Sequence, residues 1–397
     1  MKITLLAYGK PEAVQPFAAL ASALKSGGYE AGVAVSAGSD LCPAHSGTGR
    51  AWMHQRLWRY LGSGEGGLEG GNPGGRTGNL REVCAESDLI VSDLRMLDHA
   101  LAVSSELNSK LMAAALTPPC PVSRNAALLS GILRKLPFFY GAAGKREPGY
   151  AWPLAWESAL NKTVSRDIPV LHAYSACFLE RRGESGGPAG QIVTGEWRMA
   201  AGTGGSNCSS KSREDTGQWL DKGETPLYFG FSGLPLQVQV HCIQNALDAS
   251  RELSCRAVIE ADWQALGGLR HELPVNALPV EQADYDRLFP RCRSVLHRGS
   301  SAAAHASLRA GIPALVCPAA EEEQVWGRLT VAAGAGGCLP LNKVTRKKLT
   351  QRLKALEDKR VRNKTAELGA SLREENGIET AIPFIDRYLS WTQYRKF

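Results

Sequence analysis

Between residues 289 and 327 the chain passes through a fixed series of local signals. A short apolar run, Ser294-Val295-Leu296, meets a tight polar turn, His297-Arg298-Gly299-Ser300-Ser301. Ala302 to Ala310 then contains no helix breaker, and Gly311 before Ile312-Pro313 is a stop signal. Ala314-Leu315-Val316-Cys317 is a second apolar run, with Glu321-Glu322-Glu323-Gln324 at its carboxyl end. The series predicts strand, turn, helix, strand, acidic loop and a second helix. A strand–helix–strand repeat implies a parallel sheet covered by crossover helices. A helix that opens on small residues also presents unpaired backbone N–H groups and the positive end of its dipole, which is a setting for an anion such as phosphate.

The same alternation runs through the rest of the chain. Residues 2–8 predict a strand and residues 14–26 a helix, with Val14, Phe17, Ala21 and Leu24 on one stripe and Gly27-Gly28 as the stop. Residues 30–36, 89–93 and 111–116 predict further strands of this first half. In the second half, residues 237–250 predict a helix and residues 257–261 a strand, while 378–389 is apolar and helical in period. A length of 397 residues exceeds one ordinary core and suits two α/β domains. The expected division is 1–199, a linker at 200–222, 223–375, and a terminal segment 376–397. Residues 62–78 are Gly-rich and aperiodic and read as a loop.

Charge and cysteine content narrow the function classes. The ten cysteines show no metal-binding spacing, and several sit inside apolar runs, so reduced thiols in a cytoplasmic protein are expected. The first residues read as a core strand rather than a signal h-region, and no apolar run reaches membrane-spanning length. Part of the net charge of +7 clusters in residues 343–348, 359–364 and 395–396. Solvated helix faces are the plain reading of these clusters; peripheral contact with an anionic membrane surface is the functional one. Aromatic residues are not interleaved with them, so no nucleic-acid partner is expected.

The motifs resemble those of the family-1 glycosyltransferases of GT-B fold, in the branch acting on sterols, lipids and antibiotic aglycones. That branch reads Leu-Phe-Pro-Arg, then His-His-Gly-Gly-Ala-Gly-Thr, Arg-Ala-Gly-(Val/Ile)-Pro and Asp-Gln before Trp-Gly. Here the order is Leu288-Phe289-Pro290-Arg291, His297-Arg298-Gly299-Ser300-Ser301-Ala302-Ala303, Arg309-Ala310-Gly311-Ile312-Pro313 and Glu323-Gln324-Val325-Trp326-Gly327. Upstream, Tyr8-Gly9 with Gln15-Pro16-Phe17, Leu171-His172-Ala173-Tyr174-Ser175 and Val193-Thr194-Gly195-Glu196-Trp197 keep the family's frame. The resemblance implies two facing, doubly wound α/β domains with a cleft between them, and a terminal helix that packs back on the first domain. It implies an inverting transfer of a hexose, glucose being the first expectation, from a UDP-sugar to a lipophilic hydroxyl acceptor such as a sterol.

The resemblance assigns roles residue by residue. His297, with Gly299, Ser300 and Ser301, is expected to hold the donor diphosphate, Ser232 to add a donor, and Glu323 and Gln324 to bracket sugar hydroxyls. No metal and no tightly bound cofactor are expected, since His297 and the helix dipole would serve to stabilise the departing diphosphate. The family's acceptor base is the Asp of Gly-Asp-Val, or a His at that turn, whereas position 13 here is Ala. Glu12 is the nearest carboxylate and the candidate base, with Asp93 as an alternative. Arg298 replaces the family's second His, and Ala302-Ala303 replace Gly-Thr. A non-catalytic nucleotide-sugar-binding or partner-binding relative is therefore the second reading, and an epimerase of the same fold the third. His305 reads as surface or packing.

Overall fold

The computed structural model describes residues 1–8, 11–35, 80–118, 152–179, 191–198 and 210–390. The loop expected at 62–78 and the basic pair at 395–396 lie outside the described residues. The strands are β1 (Lys2–Ala7), β2 (Glu30–Val35), β3 (Leu89–Asp93), β4 (Lys110–Ala115), β5 (Val170–His172) and β6 (Gln191–Val193), then β7 (Leu227–Gly230), β8 (Ala257–Glu260), β9 (Ala277–Val280), β10 (Ser294–His297), β11 (Ala314–Val316) and β12 (Gly336–Cys338). The longer helices are α1 (Pro11–Ser26), α2 (Leu97–Leu107), α3 (Trp152–Ser165), α4 (Ser210–Asp221), α5 (Leu236–Glu252), α6 (Ser301–Arg309), α7 (Glu321–Ala332), α8 (Arg346–Ala355), α9 (Lys359–Glu374) and α10 (Gly377–Ser390).

Two six-stranded sheets result, and all their recorded pairings are parallel. The first has the order β2-β1-β3-β4-β5-β6 and the second β12-β11-β10-β7-β8-β9. In each, strand order reverses at one point: between β1 and β3 in the first sheet, between β7 and β10 in the second. Helices leave opposite faces there, which opens a crevice at the strands' carboxyl ends where ligands of such sheets bind.

The strands are buried on both faces, as parallel sheets require, so they read as apolar runs rather than alternating ones. On one side of the first sheet Phe17, Leu20 and Leu24 of α1 pack against Ile3, Leu5 and Val91. Ala381, Ile385 and Leu389 of α10 join the same cluster, and Lys110 Nζ donates to the Tyr388 carbonyl at 2.9 Å. The last helix is thereby fixed to the first sheet. In the second sheet α5 and α8 cover one face, with Cys242, Ile243, Leu349 and Leu353 against Phe229 and Ile259.

The stretch read as a linker at 200–222 differs in part from that expectation. Residues 210–221 form α4; Leu220 is buried with Tyr228 and Val295, and the Arg256 guanidinium lies 3.5 Å from the centre of the Trp219 ring. Burial of Leu220 and stacking of Trp219 hold that helix to the second sheet.

The two sheets meet through their carboxyl ends. Tyr174, Cys177 and Phe178, which follow β5, form one apolar cluster with Ala304 and Leu308 of α6, Trp326 of α7, and Leu368 and Leu372 of α9. His305 lies in this contact, fully buried, with Phe178 and Trp326 edge-on to its ring at 5.0 and 5.1 Å. Its Nε2 accepts the backbone N–H of Ser175 at 3.0 Å and its Nδ1 lies 2.7 Å from the Ser301 carbonyl. The residue read as surface or packing is therefore packing with a hydrogen bond between the two halves. Arg309 adds an ion pair to Glu196 at 2.6 Å, both side chains largely buried.

Candidate functional site

The carboxyl ends of β7, β10 and β11 bring the expected donor-site residues to one place. His297 ends β10, Ser300 caps α6 with φ −77° and ψ 149°, and its side chain accepts the N–H of Ala303. That hydroxyl satisfies one of the first-turn donors of α6; the N–H groups of Ser301 and Ala302 precede any intrahelical acceptor. Gly299 has φ +115°, and a Cβ added there would stand 2.4 Å from the Glu323 carbonyl oxygen. A residue without a side chain is needed on both counts. The turn after β10 thus lies directly against the first turn of α7.

His297 is 3 % exposed, and burial pushes its pKa down to about 4. The ring is neutral at pH 7. Its Nδ1 receives the Gly299 N–H at 3.1 Å, so Nδ1 carries no proton and the hydrogen resides on Nε2. Nε2 is buried and has no hydrogen-bond partner among the described residues. A buried donor without an acceptor costs on the order of 1–3 kcal/mol. Such a group beside a helix N-terminus is suited to an anionic oxygen.

The neighbouring polar residues are engaged with one another. Arg298 donates from Nη1 to the Ser232 carbonyl at 3.1 Å and from Nη2 to Glu323 Oε1 at 2.5 Å. The other oxygen of Glu323 accepts the backbone N–H groups of Ala319 and Ala320 at 2.7 and 3.1 Å, which caps α7 where Ala320 has no side chain able to do so. Ser232 Oγ donates to Asp262 Oδ1 at 2.7 Å, and Gln239 and the Gly233 N–H also reach that carboxylate. Burial alone would raise the pKa of Asp262; the bonds from Ser232, Gln239 and Gly233 outweigh it and hold it below the usual value. Ser301 Oγ lies 3.4 Å from the Leu116 carbonyl in the first half of the molecule and 3.3 Å from His305 Nδ1. Gln324 is half-buried in the first turn of α7.

Of the residues expected at the donor site, all seven lie on the loops and helix starts at the carboxyl ends of β7, β10 and β11. Their bonds differ from a simple ligand cradle: the Gly299 N–H goes to His297, Ser232 to Asp262, and Glu323 to Arg298 and the α7 start. Arg298 and Asp262, which hold Glu323 and Ser232, are not among the residues of the family's motifs, and their only signal in the sequence is charge beside small residues at strand ends.

The opposing switch point lies between β1 and β3. Glu12 belongs to the first turn of α1, and its side chain lies outside the described residues. Asp93, the alternative base, is buried; its carboxylate accepts the Arg95 backbone N–H at 2.8 Å, Arg95 Nε at 3.0 Å and Nη2 at 2.6 Å. Burial works against the charge of Arg95, yet Asp93 beside it raises the pKa of that guanidinium.

Among the described residues no group of three or more His, Cys, Asp or Glu is placed to hold a metal ion. Nor is any described helix long and apolar enough to cross a membrane. The seven described cysteines are thiols and not disulfides, six of them buried.

Comparison with known proteins bears on the family and the fold. Residues 244–379 match the family model for the C-terminal domain of erythromycin biosynthesis protein CIII-like proteins. A sterol 3-beta-glucosyltransferase of Arabidopsis thaliana is 28% identical over 178 residues, 45% of this chain and 29% of that enzyme. An uncharacterized Mycobacterium bovis protein is 26% identical over 217 residues, 54% of this chain and 47% of that one. The match thus spans less than a third of the plant relative's length and about half of the mycobacterial one. Among solved structures, the glycotransferase of kitacinnamycin aligns with a TM-score of 0.67 at 15% identity, covering 98% of this chain and 99% of that one. The spinosyn forosaminyltransferase aligns at 0.63 and 17%, covering the same shares. The two parallel six-stranded sheets have the GT-B fold, and the chain is similar to the plant sterol 3-beta-glucosyltransferase over less than half of its length.

Proposed function

We propose that this glycosyltransferase-like chain binds a UDP-sugar on its second sheet and transfers the hexose, glucose in the first instance, with inversion, to a lipophilic hydroxyl such as that of a sterol. One observation carries the reading: the buried Nε2–H of His297, without a partner, beside the N-terminus of α6 at a topological switch point. Departure of a nucleoside diphosphate builds negative charge on phosphate oxygens. A preoriented N–H donor and a helix dipole stabilise that charge where it forms. His297 is neutral there, so it acts as a hydrogen-bond donor and not as an ion. Gln324 and Glu323, at the start of α7, are assigned to sugar hydroxyls. Glu12, in the turn that follows β1, takes the acceptor's proton. No tightly bound cofactor enters this scheme. Contact with an anionic membrane through the exposed basic residues of α8 and α9 would bring the protein to a lipid acceptor.

Ala13 in place of the family's base and the pairing of Asp93 with Arg95 favour a second reading, a nucleotide-sugar-binding relative without turnover. One experiment separates the two. The protein is incubated with radiolabelled UDP- and dTDP-sugars and a lipid extract, and UDP binding is measured by calorimetry on the wild type and His297→Ala. The transferase reading expects labelled lipid and a loss of about 1–3 kcal/mol in UDP affinity on removing the imidazole. Binding without labelled lipid supports the second reading. Equal affinity in both proteins removes His297 from the site.

A further inference from the structure

We infer that Arg298 is a donor-binding residue that exchanges partners: its guanidinium, paired with Glu323 in this structure, turns to the diphosphate of a nucleotide sugar, and the exchange frees Glu323 Oε1 for a sugar hydroxyl. The inference rests on the nucleotide-sugar reading above and adds to it a residue that the motifs do not supply, since the resembling family carries His at this place.

Arg298 follows His297 directly and lies in the turn that leads to the first N–H groups of α6. Its Nε is buried and has no hydrogen-bond partner among the described residues, as is true of His297 Nε2. Two consecutive residues therefore hold buried N–H donors that lack acceptors. Both are at the carboxyl end of β10, beside the switch point of the second sheet. A guanidinium carries five N–H bonds in a planar fork and matches phosphate oxygens in pairs. The bonds recorded here use Nη1 for the Ser232 carbonyl and Nη2 for Glu323. Nε–H remains for an added acceptor.

The two oxygens of Glu323 are held differently. Oε2 is fixed by the N–H groups of Ala319 and Ala320, whereas Oε1 is held by Arg298. Loss of the Arg298 contact would leave Glu323 anchored at the start of α7 with one oxygen directed to a new donor. A diphosphate carries more negative charge than one carboxylate, so it competes well for the guanidinium where both are largely shielded from water. In this structure the pair's side chains are 20 % and 17 % exposed. Phosphate recognition and sugar recognition then become one linked event. A free carboxylate for the sugar appears only once the diphosphate has taken Arg298.

The competing account is a permanent brace, in which Arg298 ties the loops after β7, β10 and β11 together and never contacts ligand. Calorimetric titration with UDP and UDP-glucose on the wild type, Arg298→Gln, Glu323→Gln and the double variant decides between them. Gln at 323 can still accept the N–H groups of Ala319 and Ala320, so the cap on α7 survives. The double variant replaces the ion pair by two amides and retains a foldable protein if Arg298→Gln alone does not fold. Exchange predicts that Glu323→Gln tightens UDP binding severalfold and narrows the affinity difference between UDP-glucose and UDP. Arg298→Gln should weaken UDP about tenfold or more, the loss expected for a charge-assisted bond. The gain from Glu323→Gln should vanish in the Arg298→Gln background. A brace predicts no tightening in Glu323→Gln, with His297→Ala still weakening UDP; that result overturns the exchange and leaves the nucleotide reading intact. Failure of UDP and dTDP to bind any form, wild type included, overturns both.

Discussion

The two switch points of this molecule are built alike and furnished differently. Each lies where strand order reverses in a six-stranded parallel sheet, β1/β3 in one and β7/β10 in the other. At the second, His297 and Arg298 each keep a buried N–H without an acceptor among the described residues. At the first, the buried carboxylate of Asp93 receives three N–H groups of Arg95, and Arg95 donates further to the Tyr8 carbonyl. Topology provides the crevice; whether it invites a ligand depends on which polar groups the local fold leaves unsatisfied. The second crevice retains that property, while at the first the conspicuous carboxylate has been paired off. The motifs of the resembling family are altered at both, at Arg298 and Ala302-Ala303 beside His297 and at Ala13 in the first half.

The comparison breaks most sharply at Glu12. If the first crevice is catalytic through this carboxylate, Glu12→Gln should lower turnover by ~10²–10⁴. UDP affinity should barely change, because the proposed donor site lies on the other sheet. A purely structural Glu12 would favour the start of α1 and cost on the order of 0.3–1 kcal/mol of stability, with turnover per folded molecule unaltered. Turnover and melting temperature measured together separate the two, and unchanged turnover removes Glu12 as base.

Acid stability sharpens the comparison next. Burial holds His172 of the first sheet and His297 of the second at pKa values of about 4, below the ordinary 6.5. The unfolded chain binds these protons at higher pH than the folded one. Stability is therefore fully present above about pH 6.5 and is lost as pH falls from there towards 4, on the order of 3 kcal/mol for each histidine. Thermal melts across that window should show the slope. UDP should flatten the share due to His297, since an anion beside the ring favours its protonated form, and leave the share due to His172. Equal flattening in His297→Ala would place the nucleotide elsewhere.

The smallest effect is expected at Asp93. Asp93→Asn leaves the Arg95 guanidinium without its anion, but that side chain is a quarter exposed, so the loss should be about 1–2 kcal/mol and not the full penalty of a deeply buried pair. Turnover per folded molecule should stay within about twofold of wild type, well short of the loss expected on removing a base. A hundredfold drop in rate at unchanged stability would make Asp93 the base and reverse the contrast between the two crevices.

Much of the architecture was legible because parallel strands buried on both faces must read as apolar runs bounded by turns. β1, β3, β4, β8 and β11 fall within a residue or so of the expected positions, and so do α6 and α10. β12 was not legible. Gly336-Gly337-Cys338 has no strand propensity, and it pairs with β11 so closely that a Cβ on Gly336 would lie 1.9 Å from the Ala314 carbonyl oxygen. β9, Ala277-Leu278-Pro279-Val280, was hidden by its proline, which a sheet's outermost strand tolerates. Helix α4 was masked by polar composition; its place is decided by Leu220 and Trp219 meeting the second domain.

Sequence alone determined the kinds of element, the two-sheet plan and which residues stand in the turns after β7, β10 and β11, because periodicity, breakers and motif spacing are local properties. The bonds among those residues were decided only in the tertiary structure. Arg298 and Glu323 are 25 residues apart and meet because β10 and β11 are parallel neighbours whose following turns abut at Gly299. His297 acquires its tautomer from the Gly299 N–H and its low pKa from burial. Charge pairing, protonation and unsatisfied donors depend on which groups share a dry space, and that sharing exists only once the sheets have closed on each other.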